Sequence, residues 1–129
     1  MLSYLQIRDF AIIDSVELEL KPGMTALTGE TGAGKSIIVD ALLLAIGGRA
    51  SADSIRHGAQ RAEITATFEI DKHAPAQAWL REQAIEADGE CILRRVLTGD
   101  GRSRAFINGQ AVALQSLREF GELLIDIHG

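Results

Sequence analysis

The chain has 129 residues, 47% hydrophobic and 24% charged, which suits one globular domain and argues against intrinsic disorder. A net charge of −5 excludes a generally basic nucleic-acid coat protein but leaves room for a local basic patch. The single cysteine, Cys91, excludes an internal disulfide, and the longest apolar run, Ala41 to Ile46, is far too short to span a bilayer. The opening MLSYLQIRDF lacks the basic-then-apolar order of a signal peptide, so the expectation is a soluble cytosolic chain.

Leu5 and Ile7 mark a first strand, and Arg8-Asp9-Phe10 is expected to turn the chain. Val16, Leu18 and Leu20 alternate with Ser15, Glu17 and Glu19, the period of a half-buried second strand. Lys21-Pro22-Gly23 is a turn, and Met24 to Thr28 is a short apolar strand. A helix should follow, with Ile38, Ala41, Leu42 and Ala45 on one face and Gly47-Gly48 ending it. Ile64, Ala66, Phe68 and Ile70 alternate as another strand, and Pro75 to Ala84 reads as a short helix with proline in its first turn. Cys91–Leu97 and Ser103–Ile107 are strands joined at Thr98-Gly99-Asp100-Gly101, and Asn108-Gly109 turns the chain into Gln110–Val112. Leu114–Phe120 is expected to be helical, and Leu123–Ile127 a closing strand. The pattern is a mixed α/β domain with an antiparallel meander.

Gly29-Glu30-Thr31-Gly32-Ala33-Gly34-Lys35-Ser36 fits the phosphate-binding P-loop pattern in full. Its glycines let successive N–H groups curl around anionic oxygens, and the following helix adds its N-terminal dipole. Lys35 is expected on the β- and γ-phosphates, and the Ser36 hydroxyl on Mg²⁺. Two strands precede this motif, whereas small metabolite kinases open with it, and no Asn-Lys-x-Asp guanine motif occurs. Asp126-Ile127-His128-Gly129 matches a GTPase switch, and Leu123–Asp126 mimics a Walker B strand; a buried strand with a polar end is the simpler reading. Arg94, Arg95, Arg102 and Arg104 flank one hairpin with only Asp100 opposing them, which offers a contact for a DNA phosphate backbone; a solvated hairpin face is the bland alternative. His57, His73 and His128 show no metal-ligand spacing, so no metal beyond Mg²⁺ is expected.

The opening Leu5-x-Ile7-x-Asp9-Phe10-Ala11-Ile12, the P-loop with Glu30-Thr31, Gly47-Gly48-Arg49, Gly101 to Gly109, and the closing Ile127-His128-Gly129 together resemble the N-terminal segment of the RecN family, bacterial DNA-repair ATPases of the SMC and ABC-type class. The resemblance implies an α/β P-loop half-head, with an antiparallel meander packed beside the P-loop strand and helix. Residues 1–129 would be its N-terminal lobe, a single domain reaching just short of the family's Q-loop glutamine. It implies ATP and Mg²⁺ held by residues 29–36, and action in recombinational repair of DNA double-strand breaks. Implied partners are the C-terminal head segment of the same protein, a second head in a homodimer, and DNA, at a cytoplasmic, nucleoid-associated location.

On this mapping Asp126 is not the Walker B aspartate. The Q-loop, signature, Walker B and switch residues lie outside 1–129, so no catalytic residue is expected here and ATP would be held without turnover. In SMC-like heads an arginine after the P-loop helix sits near the nucleotide or couples it to DNA, a role that would fall to Arg56, with Arg49 second; Phe10 would sit near the adenine or pack in the core. Two alternatives remain: a free-standing small P-loop kinase or phosphotransferase, and a non-catalytic nucleotide-dependent interaction module.

Overall fold

A computed structural model describes residues 2–20 and 32–126. The expected strand at 24–28, P-loop residues Gly29, Glu30 and Thr31, and 127–129 lie outside them. Strands β1 (Leu2–Phe10), β2 (Ile13–Glu19), β3 (Arg61–Glu69), β4 (Glu90–Thr98), β5 (Ser103–Ile107) and β6 (Gln110–Val112) form one six-stranded sheet in the order β2-β1-β3-β4-β5-β6. Every pairing is antiparallel. The expected turn at Arg8–Phe10 falls later, because β1 continues to Phe10 and reverses at Ala11-Ile12.

Alternation gives the sheet two unlike faces. The inner face carries Leu5, Ile7, Ile64, Ala66, Phe68, Leu93 and Ile107, all buried. The outer face is polar and charged: Glu17 and Glu19 on β2 lie at one side, and Arg94 on β4 and Arg104 on β5 toward the other.

Helices α1 (Gly32–Ala45), α2 (Ala74–Glu82) and α3 (Leu114–Asp126) complete the described fold. The predicted face of α1 is the packed one: Ala41 and Ala45 are fully buried, and Ile38 and Leu42 pack against the core. The opposite side leaves Val39 and Leu43 about half exposed. Gly47, at φ 106, ends α1; its N–H donates to Leu44 O and that of Gly48 to Leu43 O, the paired bonds of a Schellman cap. Helix α2 starts on His73, whose Nδ1 accepts from Ala76 N–H at 2.9 Å, and its Trp79 stacks on Phe120 of α3 with centroids 4.8 Å apart.

The expected closing strand is corrected: residues 123–126 continue α3. Leu117, Phe120 and Leu124 recur at helical spacing and are all buried, a stripe against which Leu123 also packs. The Walker B-like reading of Leu123–Asp126 therefore fails, since Asp126 stands on a helix and not at a strand end. No helix among the described residues is long and apolar enough to cross a membrane.

Candidate nucleotide-binding site

The backbone of Gly32, Ala33, Gly34 and Lys35 forms the first turn of α1, and Ser36 follows with its side chain exposed. A helix leaves its first N–H groups without internal partners and concentrates positive partial charge there. No acidic residue occupies this turn to compete for those donors. Two glycines allow close approach, so the donor set fits an anionic phosphate, with the Ser36 hydroxyl free for a bound cation.

At the far end of α1, about 21 Å away for 14 residues, the helix is closed by arginines. Arg95 Nη1 donates to Leu44 O at 2.8 Å and Gly48 O at 2.9 Å, and its Nε donates to Ser103 Oγ at 2.6 Å. Arg118 Nε donates to Gly47 O at 2.9 Å. Burial lowers the Arg95 pKa, and the nearby Arg118 charge lowers it further.

This corrects the expectation for Arg95 as a DNA contact. Its side chain is 1% exposed and its donors point inward. Arg94 and Arg95 are neighbours on β4, so they must face opposite sides of the sheet, a signal already present in the sequence. Arg94 lies on the outer face, paired with Glu63 and set 5.1 Å over the Phe106 ring. Arg102 is exposed and 3.4 Å from Asp100, while Arg104 is exposed with no ion-pair partner among the described residues. Of the four arginines, Arg102 and Arg104 are the ones presented to solvent at the hairpin.

Arg56 lies beside the β1–β2 corner, 3.5 Å from Asp9 and 3.8 Å from Asp14. Its N–H donates to Asp9 O, and Ala11 N–H donates to Ser54 O, so the segment after α1 is stitched to this corner. Asp9 and Ala11 have φ of 51° and 54°, strained for residues with a Cβ, and Ile12 at the tip is 81% exposed. None of this was apparent from spacing. Phe10 takes the core-packing alternative: the residue is 4% exposed, and its backbone forms an antiparallel β-bridge with Ile55. It also lines an open cleft of about 580 Å³ with Asp40, Leu43, Arg49 and Arg118, beside the second half of α1.

Among the described residues no cluster of His, Cys, Asp or Glu could hold a metal. Cys91 is buried, and burial pushes its thiol up to about 12, so it is inert core.

The whole chain is 52% identical to the DNA repair protein RecN of Vibrio cholerae and 45% identical to that of Bacillus subtilis. It spans 23% of the length of each of these relatives. Among solved structures, an SMC ATPase from work on ATP-driven dimerization and DNA-stimulated activation matches with TM-score 0.76 and 27% identity, over 96% of this chain and 79% of that one. An SMC head bound to the C-terminal winged-helix domain of ScpA matches with TM-score 0.74 and 28% identity, over 92% of this chain and 39% of the other. The described α/β architecture is thus that of an SMC-type ATPase head. The family model described as an AAA domain matches residues 4–127, and with RecN relatives aligned along its full length the chain belongs to that family as an N-terminal, RecN-type segment.

Proposed function

We propose that the chain is the ATP-binding N-terminal lobe of a RecN-type head that acts in recombinational repair of DNA double-strand breaks. The observation that carries this is the P-loop sequence running into the first turn of α1, within a chain matched end to end by RecN proteins. Gly29, Glu30, Thr31, Gly32, Ala33 and Gly34 supply backbone donors to the ATP phosphates, Lys35 neutralises the β- and γ-phosphates, and Ser36 holds Mg²⁺. When bound, Mg²⁺ offsets phosphate charge. Arg56, held by Asp9 and Asp14, is the arginine that senses the nucleotide or links it to DNA.

The C-terminal head segment of a longer protein would cover the half-exposed Val39 and Leu43 side of α1. A second head would complete the site, and Arg102 and Arg104 would meet DNA phosphates. On this reading the protein works in the cytoplasm, on the nucleoid. The free-standing phosphotransferase has no counterpart among the RecN proteins and SMC heads compared above.

The test is titration of the protein with a fluorescent ATP analogue and Mg²⁺. Binding is expected, and Lys35→Ala should abolish it with an unchanged circular dichroism spectrum; equal affinity in both would refute the reading. Residues 1–129 alone should show no Lys35-dependent ATP hydrolysis.

A further inference from the structure

Arg95 stands in the middle of an apolar row that crosses the inner face of the sheet through Ile7, Ile64 and Ala105. Among the described residues no carboxylate pairs with it. A guanidinium taken out of water is costly unless its donors are satisfied. Here the partners are the carbonyl oxygens of Leu44 and Gly48, at the negative pole of α1, and the Ser103 hydroxyl. The end of the helix serves as the counter-ion.

This arrangement has a mechanical side. The planar fork fixes direction as well as distance, so α1 can slide along its axis only by breaking these bonds, of which that to Leu44 O is buried. From α3, Arg118 holds Gly47 O as a second stop. A hydrogen-bonded helix is stiff over its 14 residues, so a shift at Leu44 reappears at Gly32 and Lys35. The fork is itself aimed by Ser103, the first residue of β5, which sits between Arg102 and Arg104.

We propose that Arg95 is a positioning residue for phosphate binding: aimed by Ser103, it sets the axial position of α1 and so the place where the P-loop amides meet the nucleotide. The phosphate part rests on the nucleotide-binding reading above. Arg95→Lys keeps the charge and loses the fork; Ser103→Ala releases only Nε, and it keeps the test open if the first variant folds poorly.

Hydrogen exchange followed by mass spectrometry reads the mechanical part. Amides of α1 and 46–48 should exchange about tenfold faster in Arg95→Lys, with β1–β3 unchanged, and Ser103→Ala should show a smaller change of the same kind. Affinity for the fluorescent ATP analogue should fall roughly tenfold in Arg95→Lys and less in Ser103→Ala. A uniform rise in exchange across the sheet, or protection of α1 unchanged in both variants, would overturn the proposal, as would unchanged affinity beside a loosened α1. If the unsubstituted protein binds no analogue, the nucleotide reading and the phosphate part fail together, and the exchange pattern alone still decides whether Arg95 fixes α1.

Discussion

A Cβ built on Gly121 would lie 2.3 Å from the carbonyl oxygen of Ile46, so α3 touches the end of the P-loop helix backbone to backbone. Glycine inside a helix normally costs about 1 kcal/mol relative to alanine, so Gly121→Ala would stabilise α3 if space allowed. The obstacle here is a main-chain oxygen that no rotamer change can move. Overpacking of this kind costs roughly 1–3 kcal/mol, which outweighs the propensity gain. Gly121→Ala should therefore lower the urea midpoint, and a midpoint at or above the parent's would show that α3 and the 46–48 corner are not so tightly apposed.

Arg56 tests whether a stitched corner is also a functional one. Its contacts to Asp9 and Asp14 are long and partly exposed, and such pairs contribute less than about 1 kcal/mol. The backbone bond to Asp9 O survives truncation. Arg56→Ala should leave thermal stability almost unchanged and weaken ATP-analogue binding severalfold. Unchanged affinity with a clear loss of stability would assign Arg56 to the corner alone.

The hairpin arginines predict a salt signature. If Arg102 and Arg104 each neutralise a phosphate, the double variant Arg102→Ala/Arg104→Ala should reduce the slope of log K against log salt by about 1.8 on duplex DNA. Arg94→Ala should change it far less, because Arg94 is already engaged by Glu63 and Phe106. A slope unaffected by the double variant would remove DNA from this face.

Asp100 predicts a pH effect within the same hairpin. The Thr98 hydroxyl and the Arg102 N–H donate to its carboxylate, which lowers its pKa below the usual value. A depressed carboxylate stabilises the fold above its unfolded pKa and loses that contribution as pH falls through the folded value. The hairpin should thus stay closed at neutral pH and loosen only below about pH 4. Amide exchange at Gly101 and Arg102 followed by NMR should show this transition in the parent chain and not in Asp100→Ala, which should be loose throughout.

The hairpins were clear from local chemistry, since Thr98–Gly101 and Asn108-Gly109 supply the turn residues and the flanking strands alternate cleanly. The end of the chain was ambiguous for a physical reason. Three apolar residues at 123–125 satisfy a buried strand and a buried helix equally, and only their phase with Leu117 and Phe120 decides. Counting arginines by position missed what alternation requires of Arg94 and Arg95. The capping role of Arg95 was beyond any local reading, because its partners Leu44 and Gly48 are about fifty residues away in the chain. The P-loop itself was recognisable because its chemistry is local.

On the outer face Glu17 and Glu19 stand on β2 and Arg104 on β5, four strand spacings or about 19 Å apart, with Arg8 on β1 and the Glu63–Arg94 pair between them. Such a separation makes the face an electric dipole on a molecule whose overall charge repels polyanions. A nucleic acid approaching at low salt would exert a torque before any contact, turning the β2 edge away and the hairpin toward it. The asymmetry would thus select orientation during encounter, raising the fraction of productive collisions without adding to the strength of the final contact.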